Sequence, residues 1–244
     1  VSVLIALISM KYRTSDIHIK KEDLHLQSQV FKQILKVGFP VAIQDGCIQV
    51  AFIIITIIAN SRGLNDAAAV GIVEKMITAI FIIPSTMLAT VSALSAQNIG
   101  AKDYGRARAV LKYAVMITTL YGIIVALIVE FCAPTLLGLF TKDTTVILLG
   151  VQYISSYIID TIFAGIHFSF SGYFAADGKS YIGFIHNIIS ISLVRVPGSY
   201  IASIMYPHNL FPMGLAAPLG SVLSVIICLI AYCILKKKDE LSVL

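Results

Sequence analysis

Residues 215–235 read LAAPLGSVLSVIICLIAYCIL, an apolar run without a charged side chain that ends directly before three lysines. About 20 apolar residues cross the hydrocarbon core of a bilayer as a helix, and the backbone groups within that core must be bonded internally. This run therefore predicts a membrane-spanning helix.

Five further apolar runs precede it, so the sequence predicts six spans. Over the whole chain of 244 residues, 58% are hydrophobic and only 13% are charged, whereas a soluble domain of this size needs more polar surface. We therefore expect an all-α integral membrane protein, built as a six-transmembrane-helix bundle. The predicted spans are residues 37–59, 67–96, 109–131, 146–176, 181–205 and 215–235.

The segments outside the bundle differ in composition. The apolar residues 1–8 are too few to span a membrane, and Lys11 and Arg13 follow them, as at the cytoplasmic end of a helix. We therefore predict the end of a preceding transmembrane helix at 1–13, a cytoplasmic linker at 14–36, the six-helix lobe at 37–235 and a cytoplasmic tail at 236–244.

The basic residues predict the orientation. Of the 18 Lys and Arg residues, only Arg62 and Lys142 fall on one face of the predicted topology, while Lys75 and Arg195 fall within spans. Lys and Arg accumulate in cytoplasmic loops, so we expect the linker and the C-terminus in the cytoplasm of a multi-pass plasma-membrane protein. The residues on the cytoplasmic face are Lys11, Arg13, Lys20, Lys21, Lys32, Lys36, Lys102, Arg106, Arg108, Lys112, Lys179, Lys236, Lys237 and Lys238.

Asp160 and Arg195 are the charges deepest in the predicted spans. A charge in mid-bilayer costs at least ~2.5–3.5 kcal/mol, so it usually faces a cavity or a partner. Asp160 shares one helical face with Ser156, His167 and Ser171, and by depth it can pair with Arg195. A structural ion pair and a cation- or proton-binding carboxylate are both consistent with this pattern.

A second polar face lies in the first span, where Gln49 and Thr56 continue the face of Asp45 and Pro40 frees a nearby backbone carbonyl. It is either a hydrated surface or a contact for substrate or ion. Gln44 flanks Asp45.

The remaining polar and aromatic positions have simpler interpretations. We expect Glu74 and Lys75 to be an exposed or snorkelling pair, and Pro84 to kink the second span. Interhelical hydrogen bonds are expected for Asn187, Ser190 and Ser192, and a kink at Pro197. Packing is the simplest role for the aromatics of the fourth span, although they could also contact apolar cations. These aromatics are Phe163, Phe168, Phe170, Tyr173 and Phe174.

Other classes of function lack their motifs. The sequence contains no His-Glu-x-x-His, Gly-x-Ser-x-Gly or Walker-type loop, so we expect no enzyme and no ATP site. The four cysteines lack metal-ligand or disulfide spacing, so neither a metal nor a cofactor is predicted. The net charge of +5 is spread over short loops, which argues against a nucleic-acid partner.

Several segments resemble the multidrug and toxic compound extrusion (MATE) transporter family, in its C-terminal half. The most specific is 97–108, QNIGAKDYGRAR; 35–44, LKVGFPVAIQ, and 83–85, IPS, resemble the entry to the seventh helix and the eighth helix. Supporting matches are 139–143, LFTKD, and 195–197, RVP.

This resemblance implies one lobe of a two-lobed, twelve-helix transporter that works by alternating access. Family members exchange H⁺ or Na⁺ for organic cations, so the expected partners are membrane lipid, small organic cations and an N-terminal six-helix lobe of the same protein. It also implies acidic residues near positions 48–49 and 164, whereas this chain has Asp45 and Asp160, each about one turn away.

We therefore predict a secondary active multidrug efflux transporter coupled to H⁺ or Na⁺. The candidate substrate- or ion-binding residues are Asp160, Asp45, Gln49, Arg195, His167 and Asn187. A flippase for lipid-linked oligosaccharides of the same broad architecture is the alternative. The cavity of such a flippase would be lined by several Arg and Lys residues, whereas only Arg195 lies deep in the predicted spans of this chain. A membrane scaffold that transports nothing is a third hypothesis. The charges inside the predicted spans argue against it, because a scaffold needs no costly interior charges.

Overall fold

The computed structural model describes residues 27–241, with side chains through residue 236. The predicted segment 1–13, linker residues 14–26 and the last three residues of the tail lie outside the described residues. The chain divides into two compact units, one ending at Leu35 and one beginning at Lys36. In the first unit the described residues are helical from Ser28, and the second contains the bundle.

Every regular element between residues 27 and 241 is a helix. The elements are α1 (Ser28–Arg62), α2 (Leu64–Ile80), α3 (Ile82–Gly100), α4 (Tyr104–Gly138), α5 (Thr144–Tyr157), α6 (Asp160–Ala176), α7 (Tyr181–Ser190), a π-helical segment (Ile191–Arg195), α8 (Val196–Met205) and α9 (Phe211–Leu241). Five helical segments are long and apolar enough to cross a membrane, and α5 with α6 makes a sixth if this bent pair crosses as one span. The all-α prediction is confirmed.

Four predicted spans differ in detail from the helices observed. The second is interrupted at Phe81, between α2 and α3, and the fourth bends by 43° between α5 and α6. The third predicted span is extended at its end, because α4 continues through Pro134 to Gly138. The final helix continues through the predicted start of the tail to Leu241.

Pro84 accounts for the break at Phe81. Proline has no backbone N–H, so the carbonyl four residues earlier, at Ile80, loses its helical donor. The Tyr121 hydroxyl of α4 donates to this carbonyl at 2.9 Å. The predicted kink is therefore present, and the exposed carbonyl is satisfied by a neighbouring helix.

The loop with the strongest family resemblance is a turn held by local hydrogen bonds. Lys102 adopts a positive φ of 61°, and the Asp103 N–H donates to the Asn98 carbonyl at 2.9 Å. The Asp103 side chain then caps α4 by accepting from the Arg106 N–H at 2.9 Å.

Helix α6 lies at the centre of the lobe, where it packs against α3, α4 and α9. Small residues allow these close approaches, as is common where membrane helices meet. A Cβ atom added at Gly172 would lie 2.4 Å from the Leu88 carbonyl oxygen, and one added at Gly165 would lie 2.6 Å from the Thr118 Cβ.

We predict that Gly172→Ala lowers the stability of the purified protein by about 1–3 kcal/mol, because the backbone of Leu88 must move to admit the methyl group. Gly71→Ala is the matched control, since a Cβ at Gly71 meets nothing within 4 Å. Thermal denaturation in detergent should separate the two variants. Equal melting temperatures would contradict this packing.

Candidate functional site

An ion pair lies where two of the spans are irregular. Asp160 is the first residue of α6, directly after the bend, and Arg195 is the last residue of the π-helical segment. The Arg195 Nη2 lies 3.4 Å from the Asp160 Oδ2 and also donates to the Tyr157 hydroxyl. Asp160 is fully buried, and the side chain of Arg195 is 12% exposed. Asp160 and Arg195, which the sequence places at similar depth in their spans, are therefore in contact.

Two aromatic rings also contact the Arg195 guanidinium. Its central carbon lies 5.3 Å from the centre of the Phe52 ring and 5.4 Å from that of Tyr157. Cation–π contacts of this kind are stronger away from water, so they help to hold the charge inside the bundle. Phe52 belongs to α1, so Arg195 links α1 to α5, α6 and the π-helical segment.

A small cavity of about 30 Å³ adjoins this pair. Asp160, His167, Asn187, Arg195 and Ser221 contribute polar side chains to its wall. Within the described part of the chain, the His167 Nδ1 and the Asn187 Nδ2 are buried without a hydrogen-bond partner. A space of this size and polarity accommodates a water molecule or a small cation.

A larger cavity of about 360 Å³ lies beside the small one. Asp45 and Gln49 supply its polar wall from α1, and Phe52, Phe81 and Phe168 supply aromatic rings. The two cavities share four wall residues, which are Ile48, Phe52, Phe81 and Phe168. All six candidate residues predicted from the sequence therefore line one of two adjacent cavities.

The two positions at which the family resemblance implies an acidic residue also line the small cavity. Ile48 and Ala164 both contribute to its wall beside Asp160. Asp45, one turn from Ile48, lines the larger cavity instead. The acidic side chains of this chain, Asp45 and Asp160, lie about one turn away from these positions.

The polar stripe predicted on the fourth span divides at the bend. The Ser156 hydroxyl donates to the Tyr153 carbonyl at 3.1 Å, where Gly214 of α9 passes closely. His167 lies 3.5 Å from the Ser221 hydroxyl, and Ser171 lies 2.9 Å from the His186 Nε2. The stripe is thus buried against other helices.

Sequence analysis assigned no role to His186, which is fully buried and stacks edge-on to His167 at 5.4 Å between ring centres. On the same helix, Ser190 forms the expected interhelical bond, donating to the Gly220 carbonyl at 2.6 Å. Ser192 is exposed, so the expectation of an interhelical bond for it is wrong, because two residues along a helix place it on nearly the opposite face from Ser190.

The prediction of an exposed Glu74–Lys75 pair is wrong for Glu74. Its Oε2 accepts from the Thr56 hydroxyl at 3.1 Å, and its Oε1 is buried without a hydrogen-bond partner in the described region. Lys75 is exposed as expected. Position 74 lies four residues after buried Val70 and three before buried Ile77, a helical spacing that signals an inward-facing side chain.

Among the aromatics of α6, Phe168 lines the walls of the two cavities described above. Phe170, Tyr173 and Phe174 pack in an apolar cluster, in which Tyr232 of α9 contacts Phe170 and Tyr173 edge-on. Packing is therefore the role of these three side chains.

The bundle of long apolar helices defines a multi-pass helical membrane protein. A family model described as MatE matches residues 40–201. The human Multidrug and toxin extrusion protein 1 is 24% identical over 153 residues, which cover 63% of this chain and 26% of that protein. The probable multidrug resistance protein YoeA of Bacillus subtilis (strain 168) is 19% identical over 219 residues, covering 90% of this chain and 47% of that protein.

Solved structures show the same fold. A multidrug resistance MATE family transporter of the MOP superfamily, in its outward-facing conformation, superposes with a TM-score of 0.87 at 17% identity, covering 97% of this chain and 54% of that chain. A mutant of the Vibrio cholerae MATE transporter VcmN gives a TM-score of 0.84 at 17% identity, with 97% and 53% covered.

The chain belongs to the MatE family, whose model matches more than half of it. It spans about half the length of the Bacillus relative and of these solved structures, and about a quarter of the human protein. Membership confirms the prediction that the chain is no enzyme, because members of this family are transporters.

We predict that Arg195→Met destabilises the protein by about 3–5 kcal/mol, because it leaves the Asp160 charge buried without its partner. The double variant Asp160→Asn/Arg195→Met should recover part of this loss. The exposed Lys142→Met is the control and should change little. Chemical denaturation of the wild type, Asp160→Asn, Arg195→Met and the double variant measures the coupling, and additive effects of the two single changes would argue against the pair.

Proposed function

We propose that this chain is the C-terminal lobe of a secondary transporter that exports organic cations in exchange for H⁺ or Na⁺. The observation that carries the proposal is the shared wall between a cation-compatible cavity and a cavity that contains a buried ion pair. A site for substrate and a site for ion separated by a few side chains is the arrangement that coupled exchange requires.

The larger cavity has the chemistry expected for organic cations. Asp45 offers a negative charge, and the rings of Phe52, Phe81 and Phe168 offer faces that attract cations. Its volume of about 360 Å³ falls within the range of small-molecule sites. Flat apolar cations of varied shape satisfy these contacts without a specific set of hydrogen bonds, which suits a multidrug substrate range.

The small cavity provides the means of coupling. A proton or Na⁺ that binds Asp160 competes with Arg195 for the carboxylate, and Arg195 stacks on Phe52, which also lines the larger cavity. A change in the charge of Asp160 therefore reaches the substrate site through two contacts. Because a ligand shifts a conformational equilibrium only by its preference for one state, ion and substrate can favour opposite states of the lobe.

The remaining parts of the proposal follow from topology. The partner is an N-terminal six-helix lobe of the same protein, since secondary transporters bind substrate near the membrane midplane between their repeats. The linker and C-terminus face the cytoplasm of the plasma membrane, as the excess of Lys and Arg on that face indicates.

We predict that Asp160→Asn in the full-length transporter abolishes ion-driven efflux of a cationic dye from membrane vesicles, because the neutral amide cannot bind and release the coupling ion. Glu130→Gln, at an exposed position on α4, is the control and should transport normally. Unchanged gradient-driven efflux in Asp160→Asn would refute the role of Asp160.

We predict that Asp45→Asn weakens binding of ethidium to the full-length transporter by about tenfold, which corresponds to one charge-assisted contact of ~1.4 kcal/mol. Binding of an uncharged substrate should change little, because the cavity keeps its aromatic wall. Equal losses for both ligands would mean that Asp45 acts on the shape of the site.

A further inference from the structure

The break in the second span forms part of the wall of the larger cavity. Four residues from the two sides of this break line that cavity, and they are Thr78, Phe81, Ile82 and Ser85. Phe81, which lies between α2 and α3, also lines the small cavity. A change in the angle between α2 and α3 would therefore alter the shape of the larger cavity and move a ring that both cavities share.

The two helices that meet at the break pack against different neighbours. Helix α2 packs against α5, whereas α3 packs against α6 and α4. Pro84 also removes a backbone hydrogen bond across the break, because it has no N–H to offer to the Ile80 carbonyl. The angle between α2 and α3 thus depends on contacts made at the break itself.

Tyr121 of α4 makes one such contact. Its hydroxyl donates to the carbonyl of Ile80, the residue directly before Phe81, at 2.9 Å. Tyr121 lies near the middle of α4, which runs without interruption from Tyr104 to Gly138. The side chain of Tyr121 is half-buried and belongs to the wall of neither cavity described above. This hydrogen bond therefore ties the interrupted span to a continuous helix from outside the cavities.

We propose that Tyr121 is a positioning residue, whose hydroxyl group sets the angle of the break between α2 and α3 and thereby the position of the Phe81 ring. A carbonyl at membrane depth that loses its donor is costly, so the break rearranges when this hydroxyl is removed. Tyr121 acts through Phe81 and does not touch the transported cation. The inference rests on the proposed function for its ligand, an organic cation in the larger cavity.

Binding of two cations to the purified full-length transporter tests the proposal. Tyr121→Phe removes only the hydroxyl, and it should raise the dissociation constant of tetraphenylphosphonium about tenfold and that of the much smaller tetramethylammonium less than threefold. The large cation extends across the cavity to the displaced ring, whereas a small cation can bind away from it. Tyr113→Phe, at an exposed position of α4, is the matched control and should leave both constants unchanged. Unchanged binding of tetraphenylphosphonium by Tyr121→Phe, or equal weakening of both cations, overturns the proposal.

A second set of variants tests the hydrogen bond itself. Pro84→Ala restores a backbone N–H four residues after Ile80, so the carbonyl regains a helical donor and no longer needs the Tyr121 hydroxyl. In the Pro84→Ala background, Tyr121→Phe should therefore change the dissociation constant of tetraphenylphosphonium less than twofold, against about tenfold in the wild type. A tenfold effect in both backgrounds overturns the proposal, because the hydroxyl would then act at another place.

Transport measurements in vesicles separate this inference from the proposed function. Ion-driven efflux of tetraphenylphosphonium by Tyr121→Phe should show a KM about tenfold higher and a maximal rate within twofold of the wild type. A lower maximal rate at unchanged KM overturns the inference but leaves exchange intact. Absence of ion-driven flux in the wild type refutes the proposed function.

Discussion

The constraint on which this structure depends is that a polar group inside a bilayer must find its partner within the protein. The prolines illustrate it for the backbone. Pro84 removes the helical donor of the Ile80 carbonyl, and Tyr121 replaces it. Pro40 does the same to the Lys36 carbonyl, which accepts from the Ser180 hydroxyl at 3.5 Å. Each interruption of a helix thus becomes a contact with another helix.

The same constraint organises the charges. The π-helical segment and the bend between α5 and α6 bring Arg195 and Asp160 to one place, and Phe52 and Tyr157 enclose the guanidinium. Regular helices would present these side chains at other angles. The contact between the two buried charges therefore depends on the irregular backbone. At the end of the lobe that carries the α1–α2 turn, Arg62 works similarly. It binds Asp66 at 2.6 Å and donates to the carbonyls of Ser203, Tyr206 and Pro207.

The acidic residues of this chain lie close to, but not at, the positions that the family resemblance implies. Ile48 and Ala164, where the resemblance implies acidic side chains, line the small cavity, and the acidic side chains of this chain lie one turn away. These two positions thus border the small cavity of this chain although neither carries an acidic side chain.

The sequence by itself determined the fold class, the approximate spans and the family, because hydrophobic runs, loop charges and the motif at 97–108 are local signals. The six candidate residues that it identified all line the two cavities, since a polar side chain in an apolar run is conspicuous, but Ser221 of the small cavity was not among them. Only the tertiary structure decided which of them meet. Glu74 was assigned to an exposed pair, and its contact with Thr56 depends on how α1 packs against α2. Likewise, the hydrogen bond from the Ser190 hydroxyl to the Gly220 carbonyl depends on how α7 packs against α9, which no local signal along the chain encodes.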